Sequence, residues 1–122
     1  LTTKDIDYIN AHGTSTPLND SSETLAVKVA FQDDAYKPYI SSTKSMSGHL
    51  LGASGALEAI ISTLAVKEGF VPATINYEKS DPACDLNLVV NEGKTADIRV
   101  AMSNSLGFGG HNASIIIKRW EE

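Results

Sequence analysis

His12 and His49 each sit in a loop whose neighbours suit ligand chemistry. His12 is followed by Gly13, Thr14, Ser15 and Thr16. The glycine lets a ligand come close, and the hydroxyls offer hydrogen bonds. His49 follows Gly48 and precedes a helix start. The positive end of a helix dipole disfavours a cationic ring there and keeps the imidazole neutral, as a hydrogen-bond donor or a base. A lone histidine reads more readily as a capping residue, but two of them, each in a polar loop after a strand, point to one shared site.

Charged and glycine-rich neighbours extend that site. Lys44 lies five residues before His49, and Glu58 nine residues after it, on a helix that reads as buried. A charge in such a place needs a partner, so Lys44 and Glu58 are expected to pair, the alternative being two independent solvated charges. Leu106 to Gly110 holds three glycines around Phe108. Such a segment can present backbone N–H groups to an oxyanion, or can be a plain hairpin turn. Metal binding would have to use His12, His49, His111 and Cys84, and no two of them have a usual ligand spacing. Cys84 is flanked by Asp81 and Asp85, which oppose thiolate formation, so it reads as structural.

The elements that position these residues follow from local patterns. Asp5 to Asn10 predicts a strand and Ala11 to Asn19 a polar loop. A helix starts near Asp20 and Glu23 and presents Leu25, Ala26, Val29 and Ala30 on one apolar face. Tyr39 to Ser41 predicts a second strand, followed by a polar loop to His49. Gly52 to Glu68 predicts a helix with an apolar stripe at Leu57, Ile60, Ile61 and Leu64, stopped by Gly69. Gly52 and Gly55 weaken that helix, so a crowded position against another backbone is expected. Residues 71–91 read as an irregular excursion. Ile98 to Ser103 and Ala113 to Lys118 predict the last strands, and Ile115-Ile-Ile117 suits a strand buried on both faces. The order β-α-β-α-β-β points to a layered α/β domain, in which ligands bind beyond the carboxyl ends of strands.

Bulk composition narrows the function classes. The chain has 122 residues, 42% apolar and 20% charged, with a formal charge of −5. That describes one soluble globular domain over residues 1–122 and opposes general nucleic-acid binding. No run is apolar and long enough to span a bilayer. A single cysteine excludes an internal disulfide and fits a reducing compartment. The first residue is leucine, so the sequence is expected to be a piece of a longer chain.

Three motifs together carry a family resemblance. Asn10-Ala-His-Gly-Thr-Ser-Thr16-Pro, Thr43-Lys-Ser-Met-Ser-Gly-His49-Leu-Leu-Gly-Ala and Ser103-Asn-Ser-Leu-Gly-Phe-Gly-Gly-His-Asn112 resemble the C-terminal half of elongating β-ketoacyl-[acyl-carrier-protein] synthases. Thr74 to Asp85 resembles them too, so the likeness runs along essentially the whole chain.

The resemblance implies a thiolase-like fold, the C-terminal half of a duplicated α-β-α-β-α arrangement whose N-terminal half supplies the nucleophilic cysteine. It implies decarboxylative condensation of malonyl-ACP with an acyl-enzyme, in a homodimer served by acyl carrier protein. No cofactor is expected, because phosphopantetheine arrives on the carrier protein. His12 and His49 match the catalytic histidines, Lys44 and Glu58 the pair that tunes them, and Phe108 the oxyanion-hole and gating residue. Thr14 and Thr16 match pantetheine-binding residues. Asn10, Glu58, Ser103 and Asn104 resemble ligands of a monovalent cation in some members. The compartment implied is the bacterial cytoplasm or an organellar stroma or matrix. Two departures stand out: the nucleophile is absent with its half of the chain, so the fragment alone is expected to be inactive, and poorly soluble because its core expects that half; and Leu106 replaces a phenylalanine common in the family. A polyketide ketosynthase shares the motifs and the reaction. A chain-length-factor-like subunit would usually depart from the histidine motifs, which are intact here, and a plain α/β binding domain would not need such motif density.

Overall fold

A computed structural model describes residues 1–121. Three parallel strands lie side by side in one sheet: β1 (Tyr8–Asn10), β2 (Tyr39–Ser41) and β5 (Val100–Ser105). The antiparallel strand β6 (Ala113–Lys118) completes the order β2-β1-β5-β6. Helices α1 (Asn19–Phe31), α2 (Lys44–Ser47) and α3 (Ser54–Glu68) fill the crossovers, and β3 (Phe70–Val71) pairs with β4 (Lys94–Thr95) as a small separate ribbon.

Alternation along the strands sorts the core into two layers. Ile9, Ile40 and Val100 face one side and pack with Val27 and Phe31 of α1. Tyr8 and Ala101 face the other and pack with Ala65 and Val66 of α3. Full burial of a side chain such as Phe31 or Val27 contributes about 1.5–3 kcal/mol. Gly69 ends α3 in the left-handed conformation, as its position predicts.

Several expectations about faces and bounds are corrected. In α1 the sheet-facing residues are Glu23, Thr24, Val27 and Phe31, while Leu25 and Val29 are 62% and 69% exposed. Two apolar stripes compete on this helix, and the one holding bulky Phe31 takes the core. In α3 the inward face is Ser54, Glu58, Ser62, Ala65 and Val66, and Ile60 of the apolar stripe is 59% exposed. The buried ion pair and small residues turn the helix that way. Gly52 has open space around it, and Gly55 meets only the Ser105 side chain, so no neighbouring backbone crowds the helix start. β6 is an edge strand with Ile115 and Ile116 half exposed, not a strand buried on both faces. The loop before His49 contains α2, and the third long strand runs from Val100 rather than Ile98. Among the described residues no helix is long and apolar enough to cross a membrane.

Candidate active site

Asn10 is aligned with both Ser41 and Ser103, so β1 and β2 end side by side and β5 runs on to Ser105. The chain leaves each end into a polar segment, and two of these segments carry the histidines. Their approach depends on Gly13, at φ +40°. A Cβ there would stand 2.4 Å from the Ser42 Cβ, and the Ser42 hydroxyl donates to the Gly13 carbonyl at 2.7 Å. Only glycine lets the two loops touch this closely.

The structure brings His12 and His49 together. Their ring centroids are 5.2 Å apart and their planes meet at 88°, edge to face. His12 is 7% exposed, and its Nδ1 has no protein partner. Burial holds its pKa below the ordinary 6.5, and the positive Lys44 and neighbouring His49 add to the shift. His12 is therefore neutral near pH 7. His49 Nδ1 lies 3.0 Å from the Ser54 hydroxyl and accepts the Leu51 backbone N–H at 3.3 Å.

Lys44 and Glu58 form a buried ion pair, both side chains nearly inaccessible. Glu58 Oε2 and the Ser62 hydroxyl, one turn along α3, are buried without partners. The Thr14 and Thr16 hydroxyls lie 3.0 Å apart. Both threonines, with Lys44 and His49, line a cavity of about 910 Å³ that runs under residues 74–79.

Phe108 stands apart from this group. Its ring is 94% exposed and does not line the cavity, although Gly109 and Gly110 do take positive φ beside it. The proposed cation ligands also divide. Asn10 and Ser103 lie on the α3 face with Glu58, and the Asn10 amide donates to Thr43 Oγ1 at 3.2 Å. Asn104, next along β5, points to the opposite face. There its amide donates to Glu23 at 3.4 Å and its carbonyl accepts from Ser114 at 2.7 Å. With Glu58 Oε1 engaged by Lys44 as well, the four side chains do not fit one cation cage, and no step below passes through a metal ion. Cys84 lines the same cavity, but burial raises its pKa first, and Asp81, Asp20 and Asp85 raise it further, so it stays a thiol.

Glu23 belongs to the site although sequence reasoning placed it only in a helix start. Its buried carboxylate accepts the His12 N–H at 2.9 Å and the Gly13 N–H at 3.0 Å, one on each oxygen. The available signal was its spacing of four from Val27 and eight from Phe31, which puts a carboxylate on the core face of α1. Ser54 was missed in the same way, as a polar residue one turn before Glu58 on the inward face of α3.

Comparison with known proteins gives the same direction. Residues 1–78 match the family model for the β-ketoacyl synthase C-terminal domain. The chain is 54% identical over 118 residues to the 3-oxoacyl-[acyl-carrier-protein] synthase 2 of Staphylococcus aureus strain COL, covering 97% of this chain and 28% of that protein. It superposes on a β-ketoacyl synthase from Burkholderia phymatum with a TM-score of 0.92 and 40% identity, covering 99% of this chain and 29% of that one. A type II polyketide acyl carrier protein in complex with its ketosynthase matches with a TM-score of 0.96 and 36% identity, over 99% of this chain and 30% of that one. The chain thus spans less than a third of each of these relatives.

Proposed function

Since the chain belongs to the β-ketoacyl synthase family, matching its C-terminal domain and its thiolase-like fold, we propose that it is the histidine-bearing part of an elongating 3-oxoacyl-[acyl-carrier-protein] synthase. The observation that carries this reading is the edge-to-face approach of His12 and His49 at the ends of parallel strands, where His49 lines a cavity of about 910 Å³ and His12 stands between two of its lining residues, Ala11 and Gly13.

In this reading malonyl thioester enters past Thr14 and Thr16, which hydrogen-bond the phosphopantetheine arm. The bond between C2 and the carboxylate breaks, CO₂ leaves, and the electron pair delocalises onto the thioester oxygen. Imidazole N–H groups of His12 and His49 meet that oxygen as charge develops, each contributing on the order of 3 kcal/mol. The resulting carbanion attacks the thioester carbonyl of an acyl group carried on a cysteine outside these 122 residues, and the cysteine thiolate is expelled. Phe108 joins the oxyanion hole through its backbone N–H once the rest of the protein covers that turn.

Lys44, held in place by Glu58, adds to burial in keeping His12 neutral. The exposed apolar face of α3, with Ile60 and Leu64, is covered by the N-terminal half. Acyl carrier protein is the partner and the full protein is a homodimer, working in the bacterial cytoplasm or an organellar interior without a bound cofactor. The test is direct: the full-length protein, given an acyl-ACP and malonyl-ACP, forms 3-oxoacyl-ACP and CO₂ in equal amounts. Absence of the 3-oxo product with both substrates present contradicts the proposal.

A further inference from the structure

The Ser54 hydroxyl is spent in a way the reaction outlined above does not require. It is 5% exposed, at the first position of α3, and its oxygen accepts the Leu50 backbone N–H at 2.8 Å. Its single proton is then free for His49 Nδ1, 3.0 Å away. The same nitrogen also accepts the Leu51 N–H at 3.3 Å. The Leu51 N–H can only donate, so Nδ1 is an acceptor; the Ser54 proton then points at it too, and the proton of the neutral ring sits on Nε2. Leu51 itself is held at φ +51°, a left-handed conformation that a leucine adopts only when its surroundings fix it. Ser54 holds the backbone next to that residue and the ring before it.

We propose that Ser54 is a positioning residue for His49, its hydroxyl fixing the ring as the Nε2–H tautomer and tying it to the first turn of α3. Glu58 follows one turn later on the same face. A single helix face therefore sets both the tautomer of His49 and the partner of Lys44. The kinetic part of this inference rests on the reading of His49 as an oxyanion donor; the tautomer part does not.

The experiment uses full-length protein carrying ¹⁵N-labelled histidine, with Ser54→Ala and Ser54→Thr as variants. The ring nitrogen shifts report the tautomer directly in the ligand-free protein. Wild type and Ser54→Thr show the Nε2–H pattern at His49, and Ser54→Ala gains an Nδ1–H population. Decarboxylation of malonyl thioester falls about tenfold in kcat in Ser54→Ala, with KM within about twofold. Acyl transfer to the cysteine stays near wild type, which reports an intact fold. A wild-type tautomer pattern in Ser54→Ala overturns the inference, as does a threonine variant that behaves like the alanine one. A shifted tautomer with unchanged decarboxylation leaves Ser54 as the positioning residue and overturns the donor role of His49 instead.

Discussion

The Glu23 carboxylate grips the backbone on which His12 is mounted, accepting the N–H of His12 on one oxygen and that of Gly13 on the other. The carboxylate comes from α1 and the histidine from the loop after β1, so the helix fixes where the ring stands. Glu23→Gln replaces one acceptor oxygen by an N–H donor facing another donor. A hydrogen bond to a charged acceptor is worth about 1.5–3 kcal/mol, so malonyl decarboxylation in the full-length variant should fall roughly ten- to a hundredfold. Steady-state CO₂ release measures this, and a rate within twofold of wild type would show that Glu23 does not set the position of His12.

Gly13→Ala should cost about 2–4 kcal/mol, from a positive φ and from overlap with Ser42, unless the two loops separate. Either way the histidines lose their spacing. Calorimetric unfolding of the full-length variant, together with its activity, gives the answer: a melting temperature and rate equal to wild type would mean that the loops have slack that the geometry does not suggest.

Burial and the Lys44 charge hold His12 below pKa 6.5. Two consequences share one sign. The unfolded chain binds a proton near pH 6.5 and the folded ring does so only at lower pH, so this group's contribution to stability is present above pH 6.5 and is lost as pH falls through the folded value. The neutral donor also persists into mild acid. Lys44→Met removes the positive charge that lowers the His12 pKa and leaves the Glu58 carboxylate, which raises it, so the His12 pKa rises. The acid limb of the decarboxylation profile should therefore lie below pH 6.5 in wild type and move upward in Lys44→Met. A limb that stays in place, or moves down, contradicts the role given to Lys44.

Ile60 tests what covers α3. If the N-terminal half packs on that face, Ile60→Asp buries an unpaired carboxylate and destabilises the full-length protein by at least about 3 kcal/mol. Denaturant unfolding reads this, and equal stability would mean that the face is a solvent surface.

Much of the arrangement could be read from the residues, and the failures have a common cause. The strand at Tyr39–Ser41, the final strand at Ala113–Lys118, the stop at Gly69 and the Lys44–Glu58 pair follow from local chemistry: β-branched runs, a glycine free to take positive φ, and a charge that cannot be buried alone. Periodicity failed where a helix has two faces that both look able to pack. On α1 it selected Leu25 and Val29, which face away from the sheet; on α3 it selected Leu57, Ile60, Ile61 and Leu64, of which Leu57 and Ile61 are half-buried and Ile60 and Leu64 exposed. The inward faces carry Glu23, Ser54 and Glu58, polar groups whose burial is offset by the His12 and Gly13 N–H groups, by the Leu50 N–H and the His49 ring, and by Lys44, contacts that helical periodicity does not register. Glu23 and Ser54 were overlooked for that reason: their partners lie on the loops around His12 and His49.

In the proposed reaction the His12 and His49 rings act together on one developing oxyanion. CO₂ release from malonyl-ACP by the full-length His12→Ala and His49→Ala proteins, each compared with wild type, reads this without intermediate steps. Each variant should lose on the order of a hundredfold or more, with malonyl-ACP still bound. Near-normal release from either variant would contradict it.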